Sequence, residues 1–180
     1  MHAVRKMEEY VVRLSGLEDG THAFEFTLDD SFFATFDFEE IKHGGVKAQV
    51  QLDKKPGMVT LGITLKGEVT IMCDRCLEDY RQPVDQQEEI YFKYGDHHEE
   101  LEDNVVVIPR DEHQINIAQY LYEFTVLSLP LKKVHPDRPD GSTGCDPDMV
   151  KKLNDLEIEQ GDQETDPRWN ELKKIIEKNN

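Results

Sequence analysis

An α+β fold is predicted, a mainly antiparallel β-sheet from the N-terminal half followed by helices packing on it. Three observations predict it. Alternating apolar and polar residues, the period of strands, recur along the chain as far as Ile108. A helical pattern opens at Ile115 and dominates afterwards. Strands and helices do not alternate in sequence, which disfavours a doubly wound fold.

Residues 10–14 open a first strand, and a second runs over 21–28 through Ala23, Phe24, Glu25, Phe26 and Leu28. The intervening turn residues, ending Glu18-Asp19-Gly20, predict a hairpin with a loop longer than two residues. Residues 29–40, with Phe32, Phe33, Phe36 and Phe38, read as a short helical turn or an irregular crossover. Over 46–52, Val46, Ala48, Val50 and Leu52 share one face while Lys47, Gln49 and Gln51 share the other, a half-buried antiparallel strand. Lys54-Lys55-Pro56-Gly57 turns the chain into 58–72, one long strand or two interrupted at Gly67. Further strands follow at 88–94 and 105–108.

The helix expected over 115–129 is apolar nearly all round, through Ile117, Ala118, Leu121, Tyr122, Phe124, Val126 and Leu127, and closes before Pro130. A Pro- and Gly-rich loop leads to a short helix at 148–157. An acidic linker over 159–166 then meets Asp166-Pro167-Arg168-Trp169, where Asp166 is placed to cap a last helix and Pro167 suits its first position. Trp169, Leu172, Ile175 and Ile176 would form that helix's apolar face. These patterns place one α+β domain with the CxxC loop at 1–157, and an acidic linker with a C-terminal helix at 158–180.

Composition narrows the function classes. The 180 residues suffice for one sizeable core, with a second small lobe possible, and 33% of them are charged. No apolar run approaches the roughly twenty residues of a membrane-spanning helix, and the N-terminus lacks a signal peptide's apolar core. Three cysteines, an odd number, are spaced unlike a disulfide framework. A soluble cytoplasmic protein with reduced thiols is expected. The net charge of −17 repels a phosphate backbone at long range and favours basic partners. A local basic patch can still prevail at contact distance, and the plainest role of the excess acid is solubility.

The richest chemistry lies in Cys73-Asp74-Arg75-Cys76, directly after a strand-like run. A zinc site needs about four ligands, and CxxC supplies two from one turn. His135 and Cys145 in the loop after Pro130 would complete a Cys3His set with Cys73 and Cys76, and thiolate and imidazole donors suit zinc over harder cations. The bland alternative is that the thiols are small apolar side chains near a turn. Redox CxxC pairs sit at a helix N-terminus in a βαβ setting, which the strand context here does not match. A second stretch, Asp96-His97-His98-Glu99-Glu100-Leu101-Glu102-Asp103, also holds ligand types, but its charge density favours a solvated loop between strands. Walker, GxGxxG, HExxH and GxSxG motifs are absent.

Three segments in order, GEVTIMCDRCLEDYRQPV, LSLPLKKVHPD and DPRWNELKKI, together resemble the YceD family of large ribosomal RNA subunit accumulation proteins. The likeness runs from Gly67 onward, and its most specific parts are Cys73, Arg75, Cys76 and Leu77 and the run Asp166 to Trp169. Many relatives carry several cysteines after the Leu-Pro dipeptide, where this chain keeps His135 and Cys145. The resemblance implies a cytoplasmic, non-enzymatic ribosome-biogenesis factor for large-subunit rRNA accumulation or processing, and it transfers no catalytic residues. Direct rRNA binding would draw on Arg75, Lys132, Lys133, Arg138, Lys151 and Lys152. The alternative is an acidic adaptor or chaperone for a basic large-subunit ribosomal protein, which the −17 charge favours. A zinc- or thiol-dependent enzyme is the remaining class.

Overall fold

The computed structural model describes residues 7–36, 40–102 and 104–156. The strands are β1 (Val11–Arg13), β2 (Gly20–Leu28), β3 (His43–Lys55), β4 (Met58–Met72), β5 (Asp79–Gly95), β6 (Glu99–Glu102), β7 (Val105–Pro109) and β8 (Gln114–Asn116). The helices are α1 (Asp30–Phe33), α2 (Ala118–Leu127) and α3 (Pro147–Leu156). The chain forms two compact units, Met1–Cys145 and Asp146–Asn180. The latter contributes α3 to the description. The linker and helix expected over 158–180, with Asp166, Pro167, Arg168 and Trp169, lie outside the described residues, as do Phe38 and Asp103.

Hairpins carry the first unit. β3 turns at Pro56-Gly57, so that Lys55 faces Met58, and the ladder runs without a break to His43 opposite Thr70. Gly67 does not interrupt β4. It admits β3 instead, since a Cβ there would come within 2.1 Å of the Gly45 carbonyl oxygen. β4 pairs with β5 from Met58 opposite Lys93 to Met72 opposite Asp79, which makes residues 73–78 the tip of a long hairpin.

Alternation places the core. Val46, Ala48, Val50 and Leu52 of β3 and Val59, Leu61, Ile63, Leu65, Val69 and Ile71 of β4 are all buried. The Phe-rich segment after β2 supplies cover: Asp29 caps α1 by accepting from the Phe32 amide at 3.0 Å. Phe32 packs on Tyr10 at 4.7 Å, and Phe36 stacks on Tyr122 of α2 at 4.0 Å. Fully burying each such side chain contributes about 1.5–3 kcal/mol. From α2, Tyr120 meets Phe92 of β5 edge-on at 5.8 Å.

The fold is α+β, with the longer helices after the sheet, but its sheet is mixed. In the order β2-β3-β4-β5-β7-β6, β7 lies parallel to β5 while the other neighbours are antiparallel. The β6–β7 hairpin inserts its second strand beside β5, which sets the direction. Glu99–Glu102, expected as loop, is the edge strand β6. β1 does not form a hairpin with β2. It pairs with β8 in a separate two-stranded sheet, Val12 opposite Ile115. That pairing takes the first residues of the expected helix, and the Asn116 side chain then accepts from the Ala118 amide at 2.9 Å, where α2 begins. α2 is not buried all round, since Leu127 is 69% exposed.

Candidate metal centre

The β4–β5 hairpin tip folds its CxxC tightly. The Cys73 amide donates to the Glu78 carbonyl and the Leu77 amide to the Cys73 carbonyl, both at 2.9 Å. Closing this loop places Leu77 in the left-handed region at φ 64°, with its side chain 60% exposed. An L-residue there costs roughly 1–2 kcal/mol, so the tip is held by its surroundings.

A second segment crosses the tip. The Asp74 amide donates to the Lys133 carbonyl at 2.6 Å, and the Lys133 amide donates to Asp74 Oδ2 at 2.8 Å. The Lys133 ammonium pairs with Glu40, whose carboxylate holds it above the usual lysine range. This tether presents His135 to the cysteines. Gly144 brings the returning chain in against it: a Cβ there would lie 2.4 Å from the Pro136 carbonyl oxygen and 3.0 Å from His135 Cβ.

Cys73, Cys76, His135 and Cys145 converge as a result. Their donor atoms all lie within 4.8 Å of one another, and all three cysteines are free and buried. Cys73 Sγ is 3.8 Å from Cys145 Sγ, and Cys76 Sγ is 3.4 Å from His135 Nδ1. Tetrahedral zinc, with Zn–S of about 2.3 Å and Zn–N of about 2.0–2.1 Å, separates two sulfurs by about 3.8 Å and a sulfur from a nitrogen by about 3.6 Å. These two pairs lie close to those edges, and the thiol and imidazole donors suit zinc in kind. Among the described residues it is the one His/Cys/Asp/Glu group able to hold a metal ion.

The surroundings favour thiolate at Cys73. Burial alone would push the Cys73 thiol up, but backbone N–H groups of Cys76, His135 and Arg75, with the His135 side chain, bring it from 9.0 down to about 6. Burial and the neighbouring sulfurs push Cys145 up, as expected where several thiols share a site without a cation. Tyr80 closes one side, its ring 5.0 Å from that of His135 and its buried Oη without a hydrogen-bond partner among the described residues. Asp74, Glu40, Tyr80 and Gly144 escaped the sequence reading, and Lys133, expected there as a phosphate contact, serves the tether instead. Asp74 alone left a trace, as a short polar residue inside a turn.

The candidate cations are distributed unevenly. Arg75 is exposed on the hairpin tip, and Lys132 and Arg138 are exposed on the crossing segment, while Lys133 is engaged by Glu40. Lys151 and Lys152 are exposed on α3, in the other unit. The His97–His98 stretch gathers no cluster, and His97 Nε2 lies 3.4 Å from Glu99 Oε2 at the surface.

The unit is a mixed-sheet α+β fold whose Cys73, Cys76, His135 and Cys145, close enough together to hold a metal ion, gather at the tip of the β4–β5 hairpin. The family described as Large ribosomal RNA subunit accumulation protein YceD matches residues 61–176. The chain belongs to this YceD family, and the match spans both the hairpin and the crossing segment. No curated protein and no solved structure matches it.

Proposed function

We propose that the chain is a non-enzymatic, cytoplasmic ribosome-biogenesis factor that supports accumulation or processing of large-subunit rRNA by binding it. Cys73, Cys76, His135 and Cys145 would hold one structural zinc. The observation that carries this reading is the convergence of those four donors, because it joins the hairpin tip to the segment after Pro130. Joining them puts the segment bearing exposed Lys132 and Arg138 across the tip that carries exposed Arg75, and these cations would supply the phosphate contacts. Four protein ligands leave a zinc ion no open position, the arrangement of structural rather than catalytic sites. No helix among the described residues is long and apolar enough to cross a membrane.

The test is a tagged pull-down from extract at moderate salt, with and without ribonuclease, scoring large-subunit rRNA and ribosomal proteins. Recovery of rRNA, with every co-purified protein lost after ribonuclease, is expected from direct binding. Affinity for single-stranded RNA should also fall with salt by about 0.7 log units per log unit for each phosphate contacted, and Arg75→Ala with Lys132→Ala should flatten that slope. A basic ribosomal protein that survives ribonuclease would instead favour the adaptor reading. The net charge of −17 is the observation behind that second reading.

A further inference from the structure

The six-stranded sheet ends in two edges of opposite character. β6 is four residues long, presents exposed Glu99, Glu100 and Glu102, and its register against β7 shifts between Glu100 and Glu102. Brevity, charge and irregularity are the devices that keep an edge from recruiting another strand. β2 is neither short nor irregular, and Glu25 is its one carboxylate. Its nine residues pair with β3 in unbroken register from Gly20 opposite Lys54 to Leu28 opposite Val46, with no proline, lysine or arginine.

Among the described residues no strand covers the other side of β2, so alternate backbone N–H and C=O groups face outward. Tyr10 Oη occupies only the Thr27 carbonyl, at 2.8 Å. Half-buried Phe24 and Phe26 line one face of the edge, and exposed Thr21, Ala23 and Glu25 line the other. Exposed Glu18 and Asp19 precede the strand. The cations beside that end are spoken for, since Lys54 Nζ donates to the Leu14 and Leu17 carbonyls and Lys55 pairs with Asp53 at 2.7 Å.

We propose that the β2 edge accepts an extended basic segment of a protein partner as an added strand. The ladder would form along 20–26, with apolar side chains set on Phe24 and Phe26 and lysine or arginine side chains on Glu25, Glu18 and Asp19. This inference rests on the adaptor reading, in which the partner is a basic protein. A second copy of the chain fits poorly, because it would bring another −17 to the contact.

Amide hydrogen exchange of the full chain, with and without a peptide of about ten residues alternating lysine and valine, tests it. The expected result is exchange slowed about tenfold or more within 20–26. Glu25→Lys, a surface change that leaves the fold intact, should weaken peptide binding at least about tenfold, and Ala23→Pro should abolish the added protection. Binding with protection elsewhere would overturn the edge while leaving the basic-partner reading standing. Absence of peptide binding together with no ribonuclease-resistant protein in the pull-down would sink both. Protection of 20–26 that grows with protein concentration alone, or that single-stranded RNA reproduces, would also overturn the proposal.

Discussion

Two stretches of this chain are rich in metal-ligand side chains, and they end in opposite circumstances. Cys73 and Cys76 meet His135 and Cys145 from a distant segment, and their donors crowd together with all three sulfurs buried. His97, His98, Glu99, Glu100 and Glu102 are neighbours in sequence, yet all are exposed, the histidines in the connection before β6 and the glutamates along that edge strand. Successive residues on a strand point to opposite faces, so local ligand density disperses there. A hairpin tip does the reverse by turning two thiols the same way, and a tethered loop brings the other two donors. Topology, not the local count of ligand residues, decides which stretch becomes a site.

The sharpest break of this contrast is Cys145→Ser. Cys145 is fully buried and belongs to the segment that closes the cluster. Structural zinc in finger peptides contributes an apparent 10–16 kcal/mol, roughly, to folding. Losing one thiolate should abolish stoichiometric zinc and remove several kcal/mol from a stability of about 5–15 kcal/mol. Metal analysis of the purified variant, paired with thermal unfolding, reads both. Unchanged melting and zinc content would mean that the thiols are merely small core side chains.

His135→Ala should act more mildly. Three thiolates remain and water takes the fourth position, so zinc stays bound with lower affinity and exchanges with chelators faster. His135→Cys should restore slow exchange by closing the set. Equal chelator rates for the wild type and both variants would remove His135 from the ligands.

Much of this was legible beforehand, for physical reasons. The long strands β3 and β4 bury one face and carry enough residues to show period two, and the four ligand residues were chemically conspicuous in a chain with three cysteines. The strand at 10–14 was legible and contains β1, but its three-residue partner β8 was not, because so short a run carries no period and the pairing joins Val12 to Ile115 across most of the unit. The parallel placement of β7 was hidden for a similar reason, since direction is settled by which neighbour a strand finds. The Asp74–Lys133 tether, which lets the cluster close, is a backbone contact that no side-chain motif announces.

The metal-free protein should show a pH dependence that comes from the hairpin tip. Cys73 titrates at about 6 in the folded chain against 9.0 for an ordinary thiol. Between those values the unfolded chain binds more protons, so stability rises with pH. The contribution is complete above pH 9.0 and lost as pH falls through about 6. Denaturant midpoints of the chelated protein should therefore increase across this window, and Cys73→Ser should remove that part of the slope. A slope identical in the variant would assign it to other groups.

The smallest effect is expected where the sequence is densest in ligands. His97 contacts Glu99 at 3.4 Å with both side chains more than half exposed. Such a surface pair contributes about 0–1 kcal/mol, and water already solvates both partners. His97→Ala with His98→Ala should leave zinc content unchanged and shift stability by no more than about 0.5 kcal/mol. Zinc titration and denaturant unfolding of the double variant measure both. A loss of bound metal there would move the site from the buried hairpin tip to the exposed connection before β6 and reverse the contrast, because a solvated local run of ligands would then outdo four donors gathered from two distant segments.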